Sequence, residues 1–312
     1  MKLNIGVVVP CYNEEEVLPE THRQLRQMLD QLCEAGLCGP QSSITFVDDG
    51  SRDGTWPLIE SIAAVDPAVR GIKLSRNRGH QVALLAGLFA AAGDVLISID
   101  ADMQDDVSAI EKMIRKHNEG ADIVYGVRDS RDADTAFKRW SATTYYRLLA
   151  RLGVDLVFNH ADYRLMSRRA VEGLKQYEEV NLFLRGIVPL IGYKTATVFY
   201  DRAARFAGVS KYPFKKMLAF AIDGITSFSV VPLRLITLMG FVVSTFSFAM
   251  VVAAIYSRLV LDITVPGWAS SVVPIYFLGG IQLLSIGVLG EYVGKLYMEA
   301  KRRPRFFIEA TV

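Results

Sequence analysis

The chain has 312 residues, 51% of them hydrophobic and 22% charged, with 35 Lys and Arg against 33 Asp and Glu. That length holds about two domains of roughly 150 residues each, which excludes a small disulfide-stapled or disordered chain. A formal net charge of +2 argues against a nucleic-acid binder that relies on a bulk positive field.

The opening stretch MKLNIGVVVPCYNEEE lacks the apolar core and small-residue cleavage site of a signal peptide and predicts a strand over Ile5 to Val9. Further β-branched runs predict strands at Ile44 to Val47, Val69 to Leu74, Val95 to Ile99 and Ile123 to Val127. Between them lie helical stretches, Glu15 to Cys33, Thr55 to Val65, Gln81 to Ala92 and Val107 to Asn118. Such alternation predicts an α/β domain with a mostly parallel, Rossmann-like sheet, whose ligands sit at the carboxyl ends of the strands.

Polar motifs follow those strands in turn: Pro10-Cys11-Tyr12-Asn13-Glu14, Asp48-Asp49-Gly50-Ser51, Ser75-Arg76-Asn77-Arg78-Gly79-His80 and Asp100-Ala101-Asp102-Met103-Gln104-Asp105. No GxGxxG fingerprint or Gly-Lys-Ser/Thr phosphate loop occurs, which argues against a dinucleotide oxidoreductase and an ordinary phosphate-loop NTPase. Cys11, Cys33 and Cys38 match no zinc or redox spacing and are expected to be reduced packing thiols of a cytosol-facing domain.

Farther along, Phe214, Met217, Leu218, Ala221, Ile222, Ile225 and Phe228 recur at helical spacing, as in a helix lying in a lipid headgroup layer. Two uncharged runs follow, Leu235 to Ser257 and Gly267 to Gly290. At 1.5 Å per residue each gives about 35 Å of helix, enough for a hydrocarbon core of about 30 Å. Lys211, Lys215, Lys216 and Arg234 precede the first run, and Lys295, Lys301, Arg302, Arg303 and Arg305 follow it and the second. The positive-inside bias therefore predicts a hairpin with both chain ends in the cytoplasm and a short outer loop around Pro266.

Asp100 and Asp102 would share one face of a straight strand, with Gln104 next in line. Two carboxylates and an amide oxygen are hard ligands, suited to Mg²⁺ or Mn²⁺ completed by a substrate diphosphate.

Taken in order, VPCYNEEEVLP, FVDDGSRDGT, LSRNRGHQVALLAGL, IDADMQD, ADYRLMSRRAV and FAGVSKY, followed by two spans, resemble the polyprenyl-phosphate glycosyltransferases of glycosyltransferase family 2. The likeness is strongest to the bactoprenol glucosyltransferases, which are similar in turn to dolichyl-phosphate mannose synthases. The resemblance implies a GT-A fold at the cytoplasmic membrane that passes one sugar, with inversion, from a nucleotide donor to a polyprenyl phosphate. Glucose from UDP-glucose onto undecaprenyl phosphate is the nearest pattern, and a homo-oligomer, a tetramer, is also implied. Carried over by motif, Pro10, Tyr12, Glu14, Asp48 and Asp49 would hold the nucleotide, Asp100, Asp102 and Gln104 the metal, and Asp162 would be the catalytic carboxylate. Arg128 and Arg139 resemble phosphate-contacting arginines, and Arg202, Arg205, Ser210 and Lys211 would bind the acceptor phosphate beside the bilayer.

His80 would either approach the donor diphosphate or make a structural bond at a helix start, and Arg185 would either face a phosphate or form an ordinary salt bridge. The implied organisation is a nucleotide-sugar half over 1–118, an acceptor half over 119–211, an interfacial helix over 212–229, a hairpin over 230–291 and a basic tail over 292–312. Asp106-Val107 replaces the proline with which the family usually continues its metal motif. A processive synthase is disfavoured, because Arg139-Trp140 is preceded by Ala136 where a Gln-x-x-Arg-Trp motif needs glutamine. A silent scaffold or flippase subunit is disfavoured by spans without intramembrane charge.

Overall fold

Strand β1 (Ile5–Cys11) is buried along its whole length, as a central strand covered on both faces must be. In this computed structural model, which describes residues 2–129, 160–180, 182–201, 226, 229–259 and 267–312, the sheet has eight strands. The others are β2 (Ser43–Asp48), β3 (Val69–Leu74), β4 (Val95–Ser98), β5 (Ile123–Arg128), β6 (His160–Ser167), β7 (Thr195–Tyr200) and β8 (Ile308–Thr311), in the order β7-β5-β6-β4-β1-β2-β3-β8. Parallel pairing joins β4, β1, β2 and β3, and joins β5 to β7. Two strands run the other way: β6 between β4 and β5, and β8 on the outer edge of β3.

Alternation along β1 sends Val7 and Val9 to one face and Val8 to the other. The first face packs against α1 (Leu18–Glu34), α2 (Thr55–Val65) and α4 (Ala109–Asn118), with Leu18, Leu25, Leu29 and Leu32 recurring at helical spacing on α1. The second packs against α3 (His80–Ala90), α5 (Arg168–Lys175) and α6 (Leu184–Leu190). Each fully buried Leu, Ile or Val contributes about 1.5–3 kcal/mol, so these two layers hold the domain and leave the loops at the sheet's edge to carry polar groups.

The strands and helices expected from Ile5 to Asn118 all form, with ends shifted by a few residues. Three expectations need correcting. Cys33 and Cys38 form a disulfide, their Cα atoms 4.7 Å apart, whereas Cys11 stays a buried free thiol whose pKa burial pushes up. The tight turn through Gly36, at φ +73°, folds the end of α1 back so that the two sulfurs meet. Asp100 to Gln104 do not continue a straight strand: β4 stops at Ser98, and Met103 takes a left-handed φ of +54°. Finally, the basic tail is not a simple tail, because its last residues supply β8.

Two long helices follow the domain. They are α7 (Val231–Leu259) and α8 (Trp268–Ala300), and both are long and apolar enough to cross a membrane by length and composition. Phe241, Phe246, Phe248, Phe277, Leu283 and Leu284 stand exposed on them. The Tyr292 hydroxyl donates to the Ser229 carbonyl at 2.6 Å, so the start of α7 lies beside the last third of α8 and the pair is antiparallel. The amphipathic stretch before α7 and the turn at Pro266 lie outside the described residues, apart from Thr226 and Ser229.

Candidate active site

The carboxyl ends of β1, β2 and β4 lie side by side, with Val8 opposite Ser98 and Cys11 opposite Asp48. The loops after these strands are laced together. The Asn13 amide donates to Ser51 Oγ at 3.0 Å, the Arg52 amide to Asn13 Oδ1 at 2.9 Å and the Glu14 amide to Thr55 Oγ1 at 2.9 Å. Pro10, Tyr12 and Glu14 therefore lie at the same edge of the sheet as Asp48 and Asp49.

Asp49 shapes that edge. Its two carboxylate oxygens accept from the Arg78 amide at 2.7 Å and the Gly79 amide at 2.8 Å. Burial raises the Asp49 pKa, and those amides oppose the shift. Gly50 makes the approach feasible: it holds φ +67°, and a Cβ there would stand 2.7 Å from the Arg76 carbonyl carbon and the Asn77 nitrogen. Asp48 is fully buried, its Oδ1 accepting from the Ser51 amide at 3.1 Å, and burial raises its pKa too.

On the same edge of the sheet stands a charge cluster of five residues, His80, Asp100, Asp162, Arg164 and Arg185. Because β6 runs antiparallel to β4 and pairs Arg164 with Ser98, its N-terminal residues reach the edge where β4 ends. Asp162 is thereby set beside the Asp100 loop, and the Ser98 hydroxyl pins the Asp162 carbonyl at 2.5 Å. Arg164, 1% exposed, donates to Asp162 Oδ1 at 2.5 Å, and Arg185 of α6 approaches Oδ2 at 3.3 Å. His80 Nε2 lies 2.8 Å from Asp100 Oδ1, and its Nδ1 lies 4.0 Å from Asp162 Oδ2.

The electrostatics follow from this packing. Burial raises the Asp162 pKa, but Arg185, Arg164 and His80 outweigh it and hold the carboxyl well below the usual range. Burial likewise opposes ionisation of Asp100, and His80 overcomes it. For His80 itself, burial disfavours the imidazolium, yet Asp100 and Asp162 carry its pKa up to about 9.

Behind the Asp100 loop, buried Asp105 accepts from the Tyr200 hydroxyl at 2.5 Å and from Arg128 at 3.1 Å. Burial raises the Asp105 pKa despite Arg128, and Asp105 Oδ2 is buried with no hydrogen-bond partner among the described residues. Arg128 is thus held at the carboxyl end of β5, on the same edge as the other motifs. Asp100 and Asp102 are half-buried, and Gln104 is 7% exposed. Among the described residues no group of three or more His, Cys, Asp or Glu converges into a ready-made cage. The carboxylates of Asp100 and Asp102 and the amide oxygen of Gln104, carried on one loop, are hard donors of the kind that suit Mg²⁺ or Mn²⁺, ions that take most of their ligands from water and a diphosphate.

Arg139, Arg202, Arg205, Ser210 and Lys211 lie outside the described residues. Three residues left out of the expected site belong to it by position. His80 meets both Asp100 and Asp162, Arg185 contacts Asp162, and Arg164 anchors Asp162 from the core. The tripeptide Asp162-Tyr163-Arg164 held the available signal, since alternation puts its first and third side chains on one face of a strand.

The chain matches the family described as glycosyl transferase family 2 over residues 6–174. It is 54% identical over 307 residues to an uncharacterized glycosyltransferase of Bacillus subtilis strain 168, covering 98% of this chain and 91% of that protein. To the bactoprenol glucosyl transferase of Shigella phage SfV it is 41% identical over 308 residues, covering 98% of each. Among solved structures it resembles a mannosyltransferase from Pyrobaculum calidifontis in complex with GDP-Man and Mn²⁺. That likeness is 17% in sequence with a TM-score of 0.49, over 96% of this chain and 86% of the other.

Proposed function

Because the chain belongs to glycosyl transferase family 2, we propose that it transfers one sugar, glucose from UDP-glucose, to a polyprenyl phosphate such as undecaprenyl phosphate. The observation that carries this reading is the 41% identity to a bactoprenol glucosyl transferase along 98% of both chains, spanning the domain and both apolar helices. The same reading places α7 and α8 across the cytoplasmic membrane, with the catalytic domain and both chain ends on the cytoplasmic side and the chain assembled as a homo-oligomer.

In this reading the wall of Pro10, Tyr12, Glu14, Asp48 and Asp49 holds the nucleotide. Asp100 and Asp102, with Gln104 as third oxygen donor, would hold Mg²⁺ or Mn²⁺, which when bound neutralises charge on the departing nucleoside diphosphate. An acceptor phosphate oxygen forms a bond to the anomeric carbon as the bond from that carbon to the diphosphate oxygen breaks, which inverts the centre. Asp162 sits at that junction but is held ionised by Arg164 and Arg185. A phosphate monoester is itself largely ionised near pH 7, so little deprotonation is asked of a base. Asp162 instead orients Arg185 and His80 toward the reacting phosphates. Arg128, Arg139, Arg202, Arg205, Ser210 and Lys211 supply donors for phosphate oxygens, arginine's fork being suited to that geometry.

The test is purified protein in detergent with undecaprenyl phosphate, Mg²⁺ or Mn²⁺, and separately UDP-glucose, UDP-galactose, UDP-GlcNAc and GDP-mannose, with lipid-linked sugar read by mass spectrometry. A chelator-sensitive glucosyl lipid from UDP-glucose is expected. A product from another donor alone would replace the glucose assignment. No product from any donor, in folded protein, overturns the reading.

A further inference from the structure

Beyond α8 the chain returns to the domain and grips it at three places. Both Glu299 carboxylate oxygens lie 2.9 Å from the Val180 amide that donates to them. The Arg305 guanidinium donates to the Tyr177 carbonyl, while the Arg305 carbonyl accepts from Arg78 Nε at 2.7 Å. Strand β8 then pairs with β3: Gly71 and Val312 exchange amide bonds of 2.8 and 3.0 Å, the Ser75 amide donates to the Phe307 carbonyl at 3.0 Å, and Lys73 meets Glu309 at 2.9 Å.

What these grips hold matters more than their number. Arg78 and Gly79 supply the two amides that Asp49 binds, and His80, bonded to Asp100, follows directly. Tyr177 and Val180 lead into α6, which carries Arg185 to Asp162. A strand serving only to cover the edge of β3 would need its backbone pairs alone. Here contacts are made beyond the strand as well: the Arg305 carbonyl accepts from Arg78, in the loop that Asp49 binds, and the Glu299 and Arg305 side chains hold the segment leading to α6.

We infer that Glu299 to Val312 form a strap that sets the donor groove, with Arg78 as a positioning residue held by Asp49 through its amide and by the strap through its guanidinium. The inference rests on the reading of Asp49 as part of the nucleotide site. It predicts that donor affinity depends on residues far from the nucleotide and beyond the apolar helices.

The experiment uses the full-length protein, a chain ended after Pro304, and Arg78→Met, which keeps the side-chain stem and removes the donor to Arg305. Each is assayed for donor KM and kcat, with melting temperature as the control for folding. Arg78→Met is expected to raise donor KM about tenfold with a smaller effect on kcat, as loss of one charged hydrogen bond implies. The shortened chain is expected to lose more, and a peptide of residues 305–312 to restore its donor KM by adding back as a strand. If the shortened chain does not fold, Arg78→Met decides. A wild-type donor KM in a folded variant overturns the strap, whereas absence of turnover in the full-length protein with every donor overturns the underlying functional reading instead.

Discussion

Arg164 is fully buried with its charge, a costly placement offset, among the described residues, by Asp162 and the nearby Leu184 carbonyl. Removing one partner of a buried pair costs about 3–5 kcal/mol, because the other is left uncompensated. Arg164→Met should therefore lower the melting temperature markedly, with Arg185 retaining part of the pairing; a melting curve that matches wild type would show the pair to be dispensable. Asp162→Asn keeps the shape and removes the charge that orients Arg185 and His80, and turnover should fall about 10²-fold, as loss of positioning implies, while donor affinity stays near wild type. The pH dependence follows from the sign of the shift. A folded pKa below the unfolded value of about 3.9 means stabilisation is full above that value and is lost as pH falls through the folded one. Acid unfolding measured by circular dichroism should accordingly begin at higher pH in Arg185→Gln, where Asp162 loses one of the cations that keep it ionised. The sequence made Asp162 visible only through resemblance. His80 and Arg185 could not be assigned from it, because a histidine at a helix start and an arginine near a loop look alike whether or not an antiparallel strand brings an aspartate between them.

At the scale of elements, the strands from β1 to β5 were legible because each is a β-branched run buried between helices. β6 escaped notice for the opposite reason. His160-Ala-Asp-Tyr-Arg-Leu-Met-Ser carries site residues on one strand, and a buried arginine breaks the apolar pattern by which a central strand is read. β7, with alternating exposure at the sheet's edge, and β8, four residues at the end of a basic run, give weaker signals still. The family's GT-A arrangement is thus present as a mixed, mostly parallel sheet with a reversed strand at the reaction edge. One loop can be tested by itself: Gly50→Ala forces a side chain into a left-handed backbone against Arg76 and Asn77, costing on the order of 1–3 kcal/mol. Donor KM should rise, and isothermal titration with the free nucleoside diphosphate should report the same loss of affinity.

For the whole molecule, α8 has 33 residues and is about 50 Å long, well beyond the roughly 30 Å of a hydrocarbon core. The excess lies at its C-terminal end, where Glu291, Lys295 and Glu299 appear and Glu299 docks on the domain. The expected spans, Leu235 to Ser257 and Gly267 to Gly290, match α7 and α8, the second beginning at the residue before α8, and both stop short of that charged extension. A membrane-impermeant thiol reagent should label Pro266→Cys in intact cells and fail to label Val312→Cys until the cells are opened. Labelling of both from outside would refute the hairpin. The strand β8 adds to the proposed hairpin a constraint of parity that hydropathy does not supply. Backbone hydrogen bonds cannot be shared through a bilayer, so a sheet begun before α7 and completed after α8 demands an even number of crossings. Whatever α7 does to the chain's side, α8 must undo, and a variant in which only one helix inserts would have to give up its eighth strand.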